Sequence, residues 1–401
     1  MAPKKVGLVL AGGAARGAYE VGVIDHLLTE VAKDLGREVP LDVLSGTSVG
    51  AINVCALAAF ADEPRARGTR MVKHWTELRI ADVVRPDVGE LISMMRGLFA
   101  RGSSSRRGGI FDPAGLAGIL DGFIPFERID ANVRAGRVSA VTVSTTHVAS
   151  GRTVVFVQRA ADQPPLWRDA TVIARPTKIR AGHALASAAI PFLFPAVTIA
   201  GEAYYDGGLR QNVPLSPARQ LGAEGIVIVN PRYMMPPDAA LALPQGSVTP
   251  TPLFLLGKTI NALLLDRIDN DLDRVRRIND LLEAGTRRYG DGFVAAINEE
   301  LGRPPDKWMR PVKTMMIRVS HDIGKLAGEF VRSPRFAGRS RGMVGTLLKR
   351  LADGESPSGT DFLSYLLFDG EFAGMLIEIG RADARARHAE LVAFFESMLE
   401  G

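Results

Sequence analysis

A strand–turn–helix pattern occurs twice near the start of the chain, and it restricts the fold more than any other feature. Lys5–Leu10 is an apolar, β-branched run that ends shortly before two consecutive glycines, and helical spacing follows over Ala18–Val31. The second copy runs from the apolar Leu41–Leu44 through a turn into the apolar helix Ala51–Ala61. Strands that alternate with helices in this way predict an α/β fold with a largely parallel central sheet.

Later segments fit the same architecture. Apolar or β-branched runs predict further strands at Val138–Ser144, Thr153–Gln158, Ala196–Ile199, Gly225–Val229 and Thr314–Val319. An amphipathic helix is predicted over Asn261–Tyr289, and two more helical stretches lie between Ser364 and Leu399. We therefore predict a first domain, residues 1–230, and a mainly helical C-terminal extension, residues 231–401, whose packing on the first domain is left open.

Composition excludes several classes of protein. The 401 residues are 46% hydrophobic and 23% charged, which is too apolar for a disordered chain and sufficient for a sizeable core. The single cysteine, Cys55, cannot form an internal disulfide, and the six histidines are scattered without the spacing of a metal site. Chemistry that needs several histidines is therefore disfavoured.

The charge balance is basic, because 49 lysines and arginines against 44 acidic residues give a net charge of +5. Two basic stretches stand out, Arg96–Arg107 and Lys307–Arg350. Since no basic stripe alternates with aromatic residues, we do not expect a nucleic-acid partner. The two stretches are typical either of a solvated surface or of a contact with an anionic membrane surface.

Two segments resemble membrane signals at first sight. Ala184–Gly201 carries no charge over eighteen residues, close to the length of a membrane span. Pro191 and Pro195 would interrupt a helix there, so we interpret Phe192–Pro195 as a buried turn that leads into a strand. The N-terminal residues 1–18 have too short an apolar part for a signal peptide. We therefore expect a soluble, cytoplasmic protein.

The sequence Gly-Thr-Ser-Val-Gly at Gly46–Gly50 fits the G-x-S-x-G pattern of a nucleophile elbow. In an elbow the serine lies on a tight turn between a strand and a helix, and the small neighbours leave room for the chain and the substrate. The position of Ser48 between a predicted strand and a predicted helix favours this interpretation. The alternative is a structural turn in which Ser48 caps the helix.

The glycine-rich loop Gly12–Gly17 can complement such a serine. Consecutive small residues between a strand and a helix direct backbone N–H groups at one point, as an oxyanion site requires. Within the loop, Arg16 could add a cation or anchor the chain. The phosphate-cradling loop of a nucleotidyltransferase is an alternative, but it calls for a lysine shortly after the loop, and the next one is Lys33.

Asp206 is the candidate base, because it follows a strand and precedes a loop of small residues. A carboxylate in a partly apolar site can have its pKa raised and accept a serine proton directly. An ordinary turn aspartate is the alternative, since Asp-Gly is a common turn pair. The histidines nearest to these motifs, His147 and His183, are better explained as structural residues.

Four segments in one order carry a resemblance to a known family. They are Leu10–Glu20 (LAGGAARGAYE), Gly46–Gly50 (GTSVG), Ser187–Pro195 (SAAIPFLFP) and Asp206–Pro214 (DGGLRQNVP). Together they resemble the signature blocks of the patatin-like phospholipase family, over roughly residues 5–230. Four ordered blocks are far more specific than one. The tail around Ser364–Arg381 is also similar to the C-terminal extension of longer bacterial members.

The resemblance implies a three-layer α/β/α fold with a mostly parallel central sheet, and a Ser–Asp dyad without histidine. By motif match, Ser48 is the nucleophile and Asp206 is the base. The oxyanion hole is assigned to Gly12, Gly13, Ala14 and Arg16. One departure concerns Ala14, where family members usually have a third glycine. A methyl group is tolerated there if φ is negative and strained if φ is positive.

The implied activity is hydrolysis of lipid carboxylic esters, of the phospholipase A or lysophospholipase type, through an acyl-serine intermediate and without a metal or cofactor. The expected ligand is a lipid ester, reached through a peripheral contact at the inner face of the membrane. Two alternatives stay open: a lipid acyltransferase with the same dyad, and a catalytically weak regulatory protein of the same fold. The oligomeric state is not indicated.

Overall fold

The structure, a computed structural model, describes residues 4–85, 109–160, 167, 172–236, 238, 268–303, 308–339, 342–353 and 357–400. The strands among them are β1 Lys5–Leu10, β2 Val43–Thr47, β3 Ala140–His147, β4 Thr153–Arg159, β5 Val172–Pro176, β6 Val197–Ile199, β7 Glu202–Asp206, β8 Ala223–Asn230 and β9 Lys313–Arg318. The helices are α1 Gly17–His26, α2 Ala32–Asp34, α3 Val49–Ala59, α4 Arg67–Glu77, α5 Ile80–Val83, α6 Ala114–Phe123, α7 Phe126–Arg134, α8 Ala181–Ser187, α9 Leu215–Gln220, α10 Ile268–Tyr289, α11 Phe293–Glu300, α12 Ile323–Arg332, α13 Gly342–Asp353, α14 Pro357–Leu366, α15 Gly370–Ala386 and α16 His388–Leu399.

The strands form one sheet in the order β5-β4-β3-β2-β1-β8-β9, with β7 pairing beside this path to β3 and β6. The central strand β1 pairs in parallel with β2 and β8, and the β2–β3, β4–β5 and β8–β9 pairs are also parallel. The β3–β4 pair is antiparallel because a short turn joins its two strands. The prediction of a largely parallel sheet is confirmed.

Helices cover both faces of this sheet. Alternate side chains of β1 enter two different cores, with Leu8 and Leu10 in one and Val9 in the other. The first core contains side chains of α1, α3 and α15, and the second contains those of α9 and α10. Burial on both faces explains why the central strands are almost continuously apolar. The three-layer α/β/α fold is confirmed.

The extension beyond residue 230 is built into the same structure. Its strand β9 pairs in parallel with β8 and so continues the sheet. This strand overlaps the predicted strand Thr314–Val319. Its helix α15 crosses α1 so closely that a Cβ at Gly380 would lie 2.2 Å from the carbonyl oxygen of Tyr19. The Tyr19 hydroxyl donates to Asp383 at 3.0 Å. The helical character of the extension is confirmed, and the division at residue 230 stays a prediction because both parts share one sheet.

The uncharged segment Ala184–Gly201 folds as the end of α8, a turn and the strand β6, so the predicted turn leading into a strand is confirmed. The turn is only partly buried, because Leu193 and Phe194 are buried whereas Phe192 is 49% exposed. In the part of the chain that the structure describes, no helix is both long and apolar enough to cross a bilayer. The basic stretch Arg96–Arg107 and residues 261–267 of the predicted helix Asn261–Tyr289 lie outside the described residues; the rest of that helix is α10.

Candidate active site

Ser48 lies on a sharp turn between β2, which ends at Thr47, and α3, which begins at Val49. Its backbone has φ 55° and ψ −125°, a left-handed conformation that costs a non-glycine residue about 1–3 kcal/mol. The turn is held from outside, because the N–H of Ser48 donates to Ser187 Oγ at 2.8 Å. The Ser187 hydroxyl in turn donates to the Ser144 carbonyl at 2.6 Å. Ser48 therefore has the strained, supported geometry of a nucleophile elbow.

The last glycine of the Gly46–Gly50 motif allows the elbow to approach the neighbouring strand. A Cβ at Gly50 would lie 2.4 Å from the carbonyl oxygen of Leu10 and 2.7 Å from that of Ala11, and both of these are backbone atoms that cannot move aside cheaply. The motif therefore needs glycine at this position for a packing reason, which supports the elbow interpretation over a simple capped turn.

Asp206 ends β7, where the β3–β7 register places it opposite Thr145. Its backbone is fixed on both sides: its N–H donates to the Ala189 carbonyl at 2.9 Å, and its carbonyl accepts from the Thr146 hydroxyl at 2.9 Å. The side-chain Oδ1 accepts from the Gly208 N–H at 2.7 Å. The residue is fully buried, so its carboxyl group is held rigidly at the carboxyl end of the sheet.

Burial raises the pKa of the Asp206 carboxyl to about 7, against the opposing effects of the Ser48 hydroxyl and the Gly208 N–H. The structure therefore brings the predicted nucleophile and base together. The Ser48 hydroxyl is near enough to favour the carboxylate, yet Oδ2 of Asp206 has no hydrogen bond of good geometry among the described residues. Catalytic hydrogen bonds are often long or poorly aligned before substrate binds, so this arrangement is compatible with a Ser–Asp pair. Oδ2 is the oxygen free to accept a proton.

The two nearby histidines are held by local partners. The His147 ring nitrogen Nδ1 lies 2.7 Å from Ser150 Oγ, within the turn that follows β3. His183 accepts a hydrogen bond from the Arg180 N–H at 3.1 Å and its ring lies against Phe156, with the ring centroids 4.6 Å apart. These contacts support a structural role for both.

The glycine-rich loop lies against the elbow. A Cβ at Gly12 would be 3.2 Å from Ser48 Cβ and 2.3 Å from Asn212 Oδ1. The N–H of Gly12 donates to the Asn212 carbonyl at 3.1 Å, and so Gly12 fixes the loop. Within the described residues, the N–H groups of Gly13 and Ala14 have no acceptor, and they are the donors left for an oxyanion. The assignment of Gly12, Gly13 and Ala14 to an oxyanion hole stays a prediction.

Ala14, the one departure from the family pattern, has φ 48°. Replacing it by glycine is expected to stabilise the fold by about 1 kcal/mol, because glycine adopts left-handed φ without the Cβ clash. The free energy of unfolding from denaturant titration measures this. Ala15→Gly is the matched control. Ala15 has no positive φ, so this substitution is expected to lower the free energy of unfolding. Equal effects of the two substitutions would show that Ala14 is not strained.

The motif match assigns Arg16 to the oxyanion hole, whereas the structure directs its guanidinium to the C-terminal extension. Nε donates to Ser364 Oγ at 2.8 Å, and a terminal nitrogen donates to the Asp361 carbonyl at 3.1 Å and forms an ion pair with its carboxylate. The guanidinium also lies 4.1 Å from the ring centroid of Tyr365. Burial lowers the pKa of Arg16, and Tyr365 and Asp361 more than offset it. We call these contacts between Arg16 and α14 the Arg16 clamp; they favour the anchoring role.

Several buried polar groups around Ser48 and Asp206 were not singled out from the sequence. Within the described residues, Ser144 Oγ, Gln211 Oε1 and Asn212 Oδ1 have no hydrogen-bond partner. Buried polar groups without a partner are rare in proteins, and a catalytic role is one of their explanations. For Gln211 and Asn212 the available signal is their position within Asp206–Pro214, one of the four quoted blocks, whereas Ser144 lies outside all four.

Comparison with known proteins agrees with these features. The family described as patatin-like phospholipase matches residues 8–219. The human "Patatin-like phospholipase domain-containing protein 6" is 25% identical over 364 residues, which are 88% of this chain and 21% of that protein. "Lysophospholipase nte1" of Aspergillus terreus is 46% identical over 59 residues, 15% of this chain and 3% of that one. The matched part of the chain thus spans 21% or less of the length of these two relatives.

Among solved structures, human GIVD cytosolic phospholipase A2 in complex with methyl gamma-linolenyl fluorophosphonate is similar with a TM-score of 0.41 and 12% identity, covering 99% of this chain and 59% of that one.

The family match includes more than half of the chain, and the glycine-rich loop, the elbow and Asp206 all lie within it. This chain therefore belongs to the patatin-like phospholipase family.

Proposed function

We propose that this chain is a serine acyl hydrolase that cleaves lipid carboxylic esters, of the phospholipase A or lysophospholipase type. The observation that carries the proposal is a fully buried carboxyl group with a pKa of about 7, Asp206, beside a serine in strained elbow geometry, Ser48. The family supports a lipid ester as substrate, and the relative named a lysophospholipase supports lysophospholipids among the candidates.

In the first step, Ser48 Oγ attacks the carbonyl carbon of the ester while its proton passes to the Asp206 carboxylate. The carbonyl oxygen becomes an oxyanion and accepts hydrogen bonds from the N–H groups of Gly13 and Ala14, assisted by the positive N-terminal end of α3. Collapse of this intermediate breaks the ester C–O bond. The alcohol leaves with the proton from Asp206, and the acyl group remains on Ser48.

In the second step, water attacks the acyl-serine and gives its proton to Asp206, which is again a carboxylate. The same two N–H groups stabilise the second oxyanion. Collapse releases the carboxylic acid, and Ser48 Oγ recovers its proton from Asp206. If an alcohol or a lysolipid replaced water here, the reaction would be acyl transfer, and the products would reveal it.

Activity is expected to rise with pH through about 7. The carboxylate form of Asp206, whose burial raises its pKa to about 7, accepts the Ser48 proton, so kcat/KM should be half-maximal near that pH and fall about tenfold per pH unit below it. The measurement is the pH profile of kcat/KM on an uncharged short-chain ester. A profile that stays flat down to about pH 4, the ordinary range of an aspartate, would show that the pKa of the base is not raised by burial and would contradict this prediction.

Contact with a membrane surface is part of the same proposal. Within Lys307–Arg350, Arg318 pairs with Asp269 at 2.7 Å and Arg339 pairs with Asp369 at 3.3 Å, so part of this basic run is neutralised within the fold. The lysines of the run that the structure describes are exposed. They support a charge-driven contact with anionic lipid.

The proposal is tested by hydrolysis of a panel of phospholipids, lysophospholipids, acylglycerols and short esters, with lipids presented in neutral and in anionic vesicles. Released fatty acid, with and without an acceptor alcohol, separates hydrolysis from transfer. The expected result is release of fatty acid from at least one lipid class, faster from anionic vesicles. Absence of turnover on the whole panel by a folded protein would contradict the proposal and favour a regulatory role.

A further inference from the structure

A basic cavity lies away from Ser48 and Asp206, at the other end of the parallel strands. It has a volume of about 540 Å³ and is lined by residues of the α1–β2 connection and of the segment before α4. Because this connection precedes β2 whereas Ser48 follows it, the cavity and the elbow are separated by a strand length, on the order of 15 Å. The cavity is therefore not the acyl site.

The charged side chains that line the cavity are mostly cationic. Lys33, Arg37, Arg65 and Arg67 line it together with a single carboxylate, Glu38. Lys33, Arg37 and Arg65 are exposed, so they can move toward a ligand. A concave site lined by charges of one sign concentrates counter-ions.

Arg67 is the unusual member of this set. It is only 5% exposed, and its Nε has no hydrogen-bond partner among the described residues. Glu38 attracts it without forming an ion pair. A buried guanidinium that stays protonated and lacks a partner is costly, and buried charges in proteins are normally paired. Arg67 is therefore available to an anion in the cavity.

Two other carboxylates near the start of α4, Asp25 and Glu63, are already paired with arginines elsewhere in the fold. Asp25 accepts from Arg381 Nε at 2.8 Å. Glu63 pairs with Arg128 at 2.8 Å and with Arg70 at 2.6 Å. The first turn of α4 contains no acidic residue and no side-chain cap, so its positive end is also uncompensated.

We propose that this cavity binds a phosphate-bearing anion, held by Arg67 with Arg37, Arg65 and Lys33. A guanidinium group can donate two parallel hydrogen bonds to two oxygens of one phosphate. Several cations together favour a dianion over a singly charged carboxylate. The volume exceeds that of a bare phosphate, so a phosphorylated small molecule or a lipid headgroup fits the same chemistry. The site does not depend on the proposed hydrolase activity.

The test is calorimetric titration of the full-length protein with inorganic phosphate at low ionic strength, against chloride of equal ionic strength. The wild-type protein is expected to bind phosphate, and Arg67→Gln is expected to weaken binding at least about tenfold. Because a change at a buried residue can impair folding, the double variant Arg37→Gln/Arg65→Gln gives an independent test with the same expected loss.

The matched control is Arg134→Gln/Lys178→Gln, which removes two exposed charges that do not line the cavity. Binding in the control is expected to equal that of the wild type. Vesicles of phosphatidylcholine with and without phosphatidic acid identify the source of the anion, since a headgroup site would lose binding to the anionic vesicles in the Arg37/Arg65 variant and phosphate would compete with them in the wild type. If neither phosphate nor anionic vesicles distinguished the wild type from the Arg37/Arg65 variant, the proposal would be wrong.

Discussion

Replacing Ser48 by alanine is expected to reduce ester hydrolysis at least about a thousandfold, because the acyl intermediate can no longer form. Asp206→Asn is expected to cause a loss of similar size, since an amide of the same shape cannot accept the serine proton. The measurement is kcat/KM of each purified variant on the best lipid of the panel. Retention of more than about a tenth of the activity by both variants would contradict the dyad.

Asp206→Asn is also expected to change how the stability of the protein depends on pH. Burial raises the pKa of Asp206 to about 7, above that of an unfolded aspartate, so the folded protein holds a proton that the unfolded chain releases. The contribution of protonated Asp206 to stability is fully present below the pKa of the unfolded aspartate and is lost as the pH rises through 7. Asp206→Asn is therefore expected to be more stable than the wild type above pH 7, with the difference vanishing in acid. A variant unfolded at pH 8 would make its loss of activity uninformative, and Ser48→Ala would then carry the test.

Asp361→Asn is expected to lower kcat about tenfold to a hundredfold, with KM little changed. Arg16 lies three residues beyond Gly13, and the Arg16 clamp holds this part of the loop against α14. Loss of the carboxylate would leave the buried guanidinium without its ion-pair partner, and the Gly13 and Ala14 N–H groups would then be free to move from the proposed oxyanion position. We therefore expect Asp361 to act as a positioning residue, through Arg16.

Two readouts separate positioning from a general loss of stability. Phosphonylation of Ser48 should slow in parallel with kcat, because the same N–H groups stabilise the phosphonyl oxygen, while the pH midpoint set by Asp206 should not move. Asp353→Asn is the matched control, since it removes an exposed carboxylate from the neighbouring helix α13. If Asp361→Asn were fully active well below its unfolding midpoint, the clamp would have no part in catalysis.

The parts of the site that depend on neighbours in sequence could be predicted. The strand at Lys5–Leu10 has the predicted bounds, because five of its six residues are buried and apolar. The elbow could be predicted because its strand, turn and helix are consecutive. The strand β2 continues to Thr47, three residues past the predicted end, because buried hydroxyls are satisfied there: Ser45 Oγ lies 2.7 Å from Thr142 Oγ1 and 3.0 Å from the Pro214 carbonyl.

The contacts that hold the site in place could not be predicted, because they join distant parts of the chain. Arg16 and Asp361 are separated by 345 positions, and no local pattern indicates that they meet. Ser187 holds the Ser48 N–H across 139 positions, although it lies in one of the resembling blocks. The left-handed φ of Ala14 also has no local signal, since alanine is typical of negative φ.

The proposed hydrolysis depends on activation of Ser48 by Asp206. The most direct measurement is the rate and location of labelling by a fluorophosphonate, followed by peptide mass spectrometry, in the wild type and in the two dyad variants. We predict one modified residue, Ser48, with labelling slowed at least about a hundredfold in Asp206→Asn and absent in Ser48→Ala. Labelling of Ser48→Ala at the wild-type rate, or an unchanged rate in Asp206→Asn, would contradict the account.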